Sequence, residues 1–453
     1  MTDTLRPPLP QWSGVSRLPG LEGRIPVARR GAVVLATAGS LGDLYPVLSV
    51  ARSLEDLGVE TRLLLSPDDC EIARSWGLLA TSLGPSRAEL CAMLGQSEDA
   101  IAAAFLRDPL PFLRRVAIPM TAELMPEIDL ACRGAACVSG TLLAFGAAFG
   151  AERAGLPFVP LLLQPLMQAS RLDPPRSRGF DLMRPAPATA LGRGWNALVL
   201  GAIRGTLGLA LRGPMNRLRR DLGLPPLAGT PLLDPGAADV PLRLGLWSDR
   251  FAPRPADAPR ELRPVGFPRS PLGHLPPDVS AWLAEGPPPL VVTLGSIAQG
   301  LAGDGFYDRA VALARAMGLR AVVLHGQAAP PAPSPDVLAR PALPHAPLFP
   351  EAAAVLHHGG IGTTAETLRA GRPHLVVPIG GDQPDNAARL ERLGLAVTLT
   401  PKRFTPERAL PPLRRLLECF DYAAAAELAT HLTAEDGAEA AARNLAQIAS
   451  IAR

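Results

Sequence analysis

The chain has 453 residues, 47% hydrophobic and 19% charged, with a net charge of +3, 51 prolines and 43 glycines. That length calls for two or three domains, the apolar content excludes a disordered chain, and so small and dispersed a positive excess gives no footing for nucleic-acid binding. Five cysteines (Cys70, Cys91, Cys132, Cys137, Cys419) form no CxxC pair and read as reduced, mostly packed thiols of a cytoplasmic protein, with no metal site among them.

In chain order, residues 1–30 mix Pro, Gly, Arg and Leu without the apolar core of a signal peptide, and they read as an N-terminal arm. Residues 31–38 (GAVVLATA) have the pattern of a buried strand, and Gly39-Ser40-Leu41-Gly42-Asp43 makes the turn after it. Leu44, Val47, Leu48, Ala51, Leu54 and Leu57 then share one face of a helix that Gly58 ends, before a second strand at 59–66. This is a βαβ unit whose glycines do not follow the GxGxxG spacing of a dinucleotide site. Asp43 either caps the helix expected from Leu44 or acts as a base in the turn; on the residues alone both readings stand. Further units at 136–139, 142–154 and 158–163 continue one doubly wound sheet, for a first domain over 31–250.

The apolar run 197–211, followed by Arg212, Arg217, Arg219 and Arg220, falls short of the ~20 residues that span a bilayer. It reads as a buried helix with a solvated basic flank, contact with a membrane surface being the alternative. The pairs Arg29-Arg30, Arg114-Arg115 and Arg219-Arg220 read as solvated surface. Between 251 and 277 the composition turns proline-dense without helical period, which reads as an interdomain linker. The α/β pattern restarts over 278–435, with Gly295-Ser296 turning after a strand at 290–294, and an alanine-rich helix within 436–453 is expected to pack back on the first domain. Two such domains facing each other leave a cleft between the C-terminal ends of their sheets.

The polar chemistry concentrates at 356–395. After a strand ending at Val355-Leu356, Gly359, Gly360 and Gly362 let the backbone turn sharply, and a helix from about Thr363, stopped by Gly371, offers unpaired first amides. Such a helix start can hold a diphosphate without a metal ion. A second strand at 374–378 leads to Gly380-Gly381-Asp382-Gln383 and a helix with Pro384 in its first turn. His358 in this glycine setting points to phosphate contact, whereas His357 reads as a packed or supporting residue. Thr363, Thr364 and Asp382 are also eligible caps, and His325 and His345 have structural readings.

Taken together, GSLGDLYPVLSVARSLEDLG, VTLGS, LPHAPLFPEAAAVLHHGGIGTTAE and GGDQPDNAARLERLG resemble glycosyltransferase family 1, the inverting two-domain GT-B enzymes. Within it the likeness is to the bacterial branch of rhamnolipid-type rhamnosyltransferases, sterol glucosyltransferases and antibiotic glycosyltransferases, over nearly the whole chain beyond the arm. The resemblance implies an α/β fold of two Rossmann-like, doubly wound parallel-sheet domains facing across a cleft. It implies that His358 and Thr363, the backbone of Gly360 and Gly362, and Ser296 contact the donor diphosphate, and that Glu366 binds the ribose hydroxyls. It further implies that Asp382 and Gln383 hold the sugar, that 342–345, His345 included, lines the base, and that Asp43 is the catalytic base. Plant-type members use a histidine in that first loop, and this chain has none before His274.

The implied reaction moves a hexose from a nucleoside diphosphate sugar to a hydroxyl of a hydrophobic or lipid-like acceptor, with one displacement and so with inversion. UDP is favoured over dTDP because Glu366 can accept from two vicinal hydroxyls, which a deoxyribose lacks. On the leaving side a protonated or hydrogen-bonding His358 stabilises the diphosphate. The nucleotide sugar is a co-substrate; no cofactor is expected, and no carboxylate cluster is placed for Mg²⁺. Acceptor contacts are expected from 139–145 and from 164–198, an apolar region that carries Arg171, Asp173, Arg176 and Arg178. The location expected is cytoplasmic, with peripheral contact at the inner face of the membrane as an addition. A sugar-nucleotide epimerase of the same architecture and a non-catalytic sugar-nucleotide-binding accessory protein are the other readings; binding alone does not need a carboxylate at position 43.

Overall fold

The computed structural model describes residues 31–177, 179–232, 240–269, 273–295, 303 and 305–451, so residues 1–30, Arg178 and Ser296 lie outside the described residues. The first domain runs through β1 (Ala32–Ala36), α1 (Leu41–Asp56), β2 (Thr61–Leu65), α2 (Pro67–Ser75), β3 (Ala80–Ser82), α3 (Arg87–Leu94), α4 (Glu98–Arg107), α5 (Leu110–Phe112) and α6 (Ile118–Cys132). It continues with β4 (Ala135–Gly140), α7 (Phe145–Ala154), β5 (Phe158–Leu162), α8 (Ala190–Asp221), β6 (Arg243–Gly245) and β7 (Leu262–Pro264). These strands form one sheet in the order β3-β2-β1-β4-β5-β6-β7, each pairing parallel. Helices cover both faces, which is why the AVVLA of β1 is apolar and buried throughout instead of alternating.

The second domain comprises α9 (Pro277–Ala284), β8 (Leu290–Thr293), α10 (Phe306–Ala316), β9 (Ala321–Leu324), β10 (Val337–Arg340), α11 (His345–Leu348), β11 (Ala354–His357) and α12 (Ile361–Arg369). After these come β12 (His374–Val376), α13 (Gln383–Arg392), β13 (Ala396–Thr398), α14 (Pro406–Cys419), α15 (Tyr422–Ala434) and α16 (Gly437–Ile451). Its parallel sheet has the order β10-β9-β8-β11-β12-β13. In both sheets the winding reverses beside the first strand, between β1 and β4 and between β8 and β11. Ligands of open α/β sheets bind at such switch points, outside the carboxyl ends of the strands.

The proline-dense stretch at 251–277 does not hang free as a linker. It supplies β7, the edge strand of the first sheet, and its Phe251, Ala252, Ala258 and Phe267 are buried with Ile361, Ala365 and Leu368 of α12 in one apolar cluster. Proline density excludes a helix there without excluding burial. The chain returns to the first domain beside this crossover. Gly437 N–H donates to the Phe267 carbonyl at 3.0 Å, and a Cβ on residue 437 would lie 1.9 Å from the Gly266 oxygen, so only glycine fits. Beyond it Ala441, Ala442 and Leu445 of α16 are fully buried with Val47, Leu48 and Leu54 of α1 in the first domain's core.

Two readings of the surface are corrected. The helix expected to be buried belongs to the 32-residue α8, whose Leu191, Leu198 and Leu209 are 86%, 66% and 91% exposed, because only one side of it meets the domain, through Leu211, Met215 and Leu218. Arg219 is not solvated. It is buried against Phe149, donates from both terminal nitrogens to Glu152 at 2.9 and 2.8 Å, and so compensates its own desolvation.

Candidate active site

The turn after β1 places Asp43. The helix begins at Leu41, three residues earlier than a cap at Asp43 requires: Ser40 is the N-cap and Asp43 the third helical residue. Asp43 Oδ2 accepts from Ser40 N–H at 2.8 Å and from Ser40 Oγ–H at 2.9 Å, closing a capping box. Gly39 at φ 138° allows this, since a Cβ there would come within 2.5 Å of Asp43 Oδ2. Oδ1 has no partner. One carboxylate therefore both caps, in a different position from the one expected, and presents a free oxygen at the switch point.

In the facing sheet the turn after β11 is built around His358. Its ring lies between Gly295 and Gly360, where an added Cβ would sit 2.7 and 2.4 Å from ring atoms, so both residues must be glycine for the imidazole to stay. His358 Nδ1 is buried without a partner. Helix α12 starts at Ile361, with Gly360 as an N-cap that has no side-chain bond; the first amide to find a partner inside the helix is that of Thr364, to Gly360 O at 2.9 Å. The amides of Ile361, Gly362 and Thr363 are thus free at the positive end of the helix. A Cβ on Gly362 would meet nothing within 4 Å, and Thr363 is buried in the first turn.

Behind this turn stands a pair that the sequence pattern does not reveal. His357 Nδ1 accepts the Gly359 N–H at 3.1 Å, so His357 carries its proton on Nε2 and donates it to His374 Nδ1 at 2.9 Å. Both rings are fully buried and held neutral by burial, His374 down to about 3 and His357 well below its ordinary value. The reading of His357 as a supporting residue agrees with this position; His374, on the neighbouring strand, carries no local signal.

The loop after β12 holds the acidic group. Asp382 occupies the N-cap position of α13 but makes no capping bond; its Oδ2 accepts from Asn386 Nδ2 at 2.7 Å. The same Asn386 nitrogen donates to Gly359 O at 2.9 Å, tying this loop to the turn at His358. Asn386 escaped the sequence reading, although its spacing of four from Asp382 on a helix was the available cue. Gln383 Oε1 accepts from Ile379 N–H at 2.7 Å and Gly380 N–H at 3.1 Å, so it shapes the loop and leaves only its amide nitrogen for a ligand.

Glu366, buried on α12, is paired with Arg369, whose Nη1 donates to Glu366 Oε1 at 2.7 Å. Arg369 also donates to Phe267 O at 2.8 Å and Pro268 O at 3.1 Å in the interdomain crossover. His345 stacks on Phe349 with ring centroids 4.4 Å apart and lies within the field of Glu366. Burial holds His345 and His358 down to about 4. His358 in the free protein is therefore a neutral hydrogen-bonding group, which removes the protonated alternative for this state.

The two sheets bring their carboxylates into one field. Burial raises Asp382 to about 7, and the charge of Asp43 from the other domain adds to the rise. Asp43 is also raised, first by burial and in part by Asp69, against the Ser40 hydrogen bonds that lower it.

Segments at 170–177 dock on α13. Arg176 N–H donates to Asp385 Oδ1 at 2.9 Å, Ser177 Oγ–H to Gly381 O at 2.5 Å, and Arg389 Nη1 to Asp173 Oδ2 at 2.6 Å. Arg171 faces Asp257. Of the polar residues in the region expected to meet the acceptor, Arg171 and Asp173 use their side chains for contacts within the protein, whereas Arg176 uses its backbone amide. The loop after β4 instead borders a small apolar cavity of about 30 Å³ lined by Thr141, Leu142, Phe145 and Phe158.

Residues 330–449 match the family of the C-terminal domain of erythromycin biosynthesis protein CIII-like proteins. The vancomycin aglycone glucosyltransferase of Amycolatopsis orientalis is 31% identical over 384 residues, covering 81% of this chain and 85% of that protein. Among solved structures, the glycotransferase of kitacinnamycin superposes with a TM-score of 0.67 at 19% identity, over 93% of this chain and all (100%) of that one. The glycosyltransferase VinC in complex with dTDP superposes with a TM-score of 0.62 at 21% identity, over 92% and 100%.

Proposed function

This chain belongs to the antibiotic-type glycosyltransferases of GT-B fold, and on that premise we propose that it transfers a hexose from a nucleoside diphosphate sugar to a hydroxyl of an apolar small molecule or lipid-like acceptor, with Asp43 as base. The observation that carries the reading is that the start of α12 leaves the amides of Ile361, Gly362 and Thr363 outside the helix's own hydrogen bonds beside the buried His358, while Asp43 stands at the switch point of the other sheet. The acceptor oxygen attacks the anomeric carbon as its proton passes to the unpartnered Oδ1 of Asp43. The bond from that carbon to the diphosphate oxygen breaks on the opposite face, which inverts the centre. Asp is a much weaker base than an alkoxide, so the proton moves late, and burial of Asp43 narrows the gap.

The leaving diphosphate is assigned to the free amides of Ile361, Gly362 and Thr363, with the buried, unpartnered Nδ1 edge of neutral His358 as a further contact. That donor set supports a metal-independent reaction, and a chelator should leave the rate unchanged. Asp382 through its free Oδ1 and Gln383 through its amide nitrogen are the sugar contacts.

A preference for UDP over dTDP rests on Glu366 accepting from ribose. Since Arg369 already holds Oε1, the preference amounts to about one hydrogen bond, ~0.5–1.5 kcal/mol or roughly 2- to 12-fold. The test of the whole reading is Asp43→Asn, which keeps an acceptor for Ser40. We expect turnover to fall about 10²- to 10⁴-fold with calorimetric donor binding retained; undiminished turnover would remove Asp43 from the chemistry.

A further inference from the structure

Among the described residues nothing covers the outward face of α8, which carries much of the exposed apolar surface. Among the described residues the large exposed hydrophobics number eleven, and Leu191, Trp195, Leu198 and Leu209 all stand on α8; a fifth, Leu182, accepts the Trp195 indole N–H through its carbonyl at 2.7 Å. Positions 191, 195, 198, 202 and 209 follow helical spacing and make a single stripe about 27 Å long. Arg220, three turns beyond Leu209, continues the same line.

At this basic end a groove of about 550 Å³ opens between α8 and the start of α6, floored by Leu110, Ile118 and Pro214 and edged by Arg114, Arg115 and Arg217. A π-helical turn at Leu113–Ala117 presents the first two arginines together. Among the described residues none of the three makes an ion pair; the acids at the groove are Asp108, which accepts the Leu110 N–H at 3.1 Å, and Asp221. Arg217 stands about 80° round the helix from the stripe, so the arginine groove flanks the apolar face at its C-terminal end.

We propose that this surface docks the protein on an anionic lipid bilayer, the stripe entering the boundary between headgroups and acyl chains and Arg114, Arg115 and Arg217 binding lipid phosphates. The pattern of an apolar face ending in arginines is that of an interfacial helix. By length and composition α8 could also cross a membrane, but its other side is fixed to the domain core through Leu211, Met215 and Leu218, so it lies on the surface. Charge disfavours a second copy as the occupant. Pairing two α8 stripes antiparallel sets Arg212, Arg217 and Arg220 of each against the end that carries Arg193, and α8 has no acidic residue except Asp221. Docking would present the first domain to lipid-dissolved molecules.

The experiment is co-sedimentation of the full chain with phosphatidylcholine vesicles, with and without phosphatidylglycerol. Binding is expected only with the anionic lipid and should weaken at high salt. Leu198→Glu/Leu209→Glu and Arg114→Glu/Arg115→Glu should each lower it by about tenfold or more while leaving calorimetric donor binding intact, which separates loss of docking from misfolding. Absence of binding to anionic vesicles overturns the proposal. So does light scattering that shows an oligomer which Leu198→Glu/Leu209→Glu dissolves, since the face is then occupied by a second copy.

Discussion

His374 Nδ1 accepts the Nε2 proton of His357 at 2.9 Å, and His357 in turn accepts the Gly359 amide proton, so the backbone turn that leads into α12 hangs on two neutral, buried imidazoles. His374→Leu removes the acceptor and strands His357 Nε2–H. Stability should fall by ~1–3 kcal/mol and donor KM rise roughly fivefold, whereas His374→Asn, whose oxygen stands where Nδ1 did, should stay near the parent in both. The sign with pH follows from burial. The unfolded chain takes up these protons below about 6.5 while the folded one refuses them, so stability declines as pH falls from there towards about 3. Urea titrations at neutral and mildly acid pH measure the slope, and His374→Asn should flatten it; an unchanged slope would mean other groups dominate.

Gly362 separates folding from binding. Its Cβ position is empty, so Gly362→Ala should leave the fold intact and stabilise α12 by ~0.5–1 kcal/mol. If the space above that amide belongs to the diphosphate, donor affinity measured by calorimetry should fall about 10- to 100-fold. A stabilised variant with parental affinity would place the diphosphate elsewhere.

Asp382 should dominate the pH dependence of donor binding near neutrality. Burial and the Asp43 charge hold its proton until about pH 7, so the carboxylate needed to accept sugar hydroxyls forms only above that value and affinity should climb through it. In Asp43→Asn the climb should move to lower pH. The same shift opposes folding as pH rises from ~3.9 to about 7, because the unfolded carboxyl ionises first. Asp382→Asn should abolish the pH dependence, and its persistence would point to another group.

Glu366→Ala should raise KM for a UDP-sugar more than for the matching dTDP-sugar, bringing their ratio to about one from the 2- to 12-fold expected of the parent. Equal losses with both donors would show that Glu366 acts mainly through Arg369 on the crossover at Phe267 and Pro268.

Much of this was legible along the chain. Apolar runs between glycine turns located β1, α1, β11, α12 and α16 to within a few residues, since backbone preferences and helical or strand spacing act over three or four positions. The glycines at 359, 360 and 362 marked the turn for the same local reason. What tertiary structure alone decided were relations between distant segments. His374 meets His357 because β12 lies beside β11, Arg369 finds carbonyls a hundred positions away, and Asp382 feels Asp43 across two sheets. Periodicity likewise announced an apolar face on α8 but not whether anything covers it. Spacing tells which side chains point together; only the packed chain determines what stands opposite them.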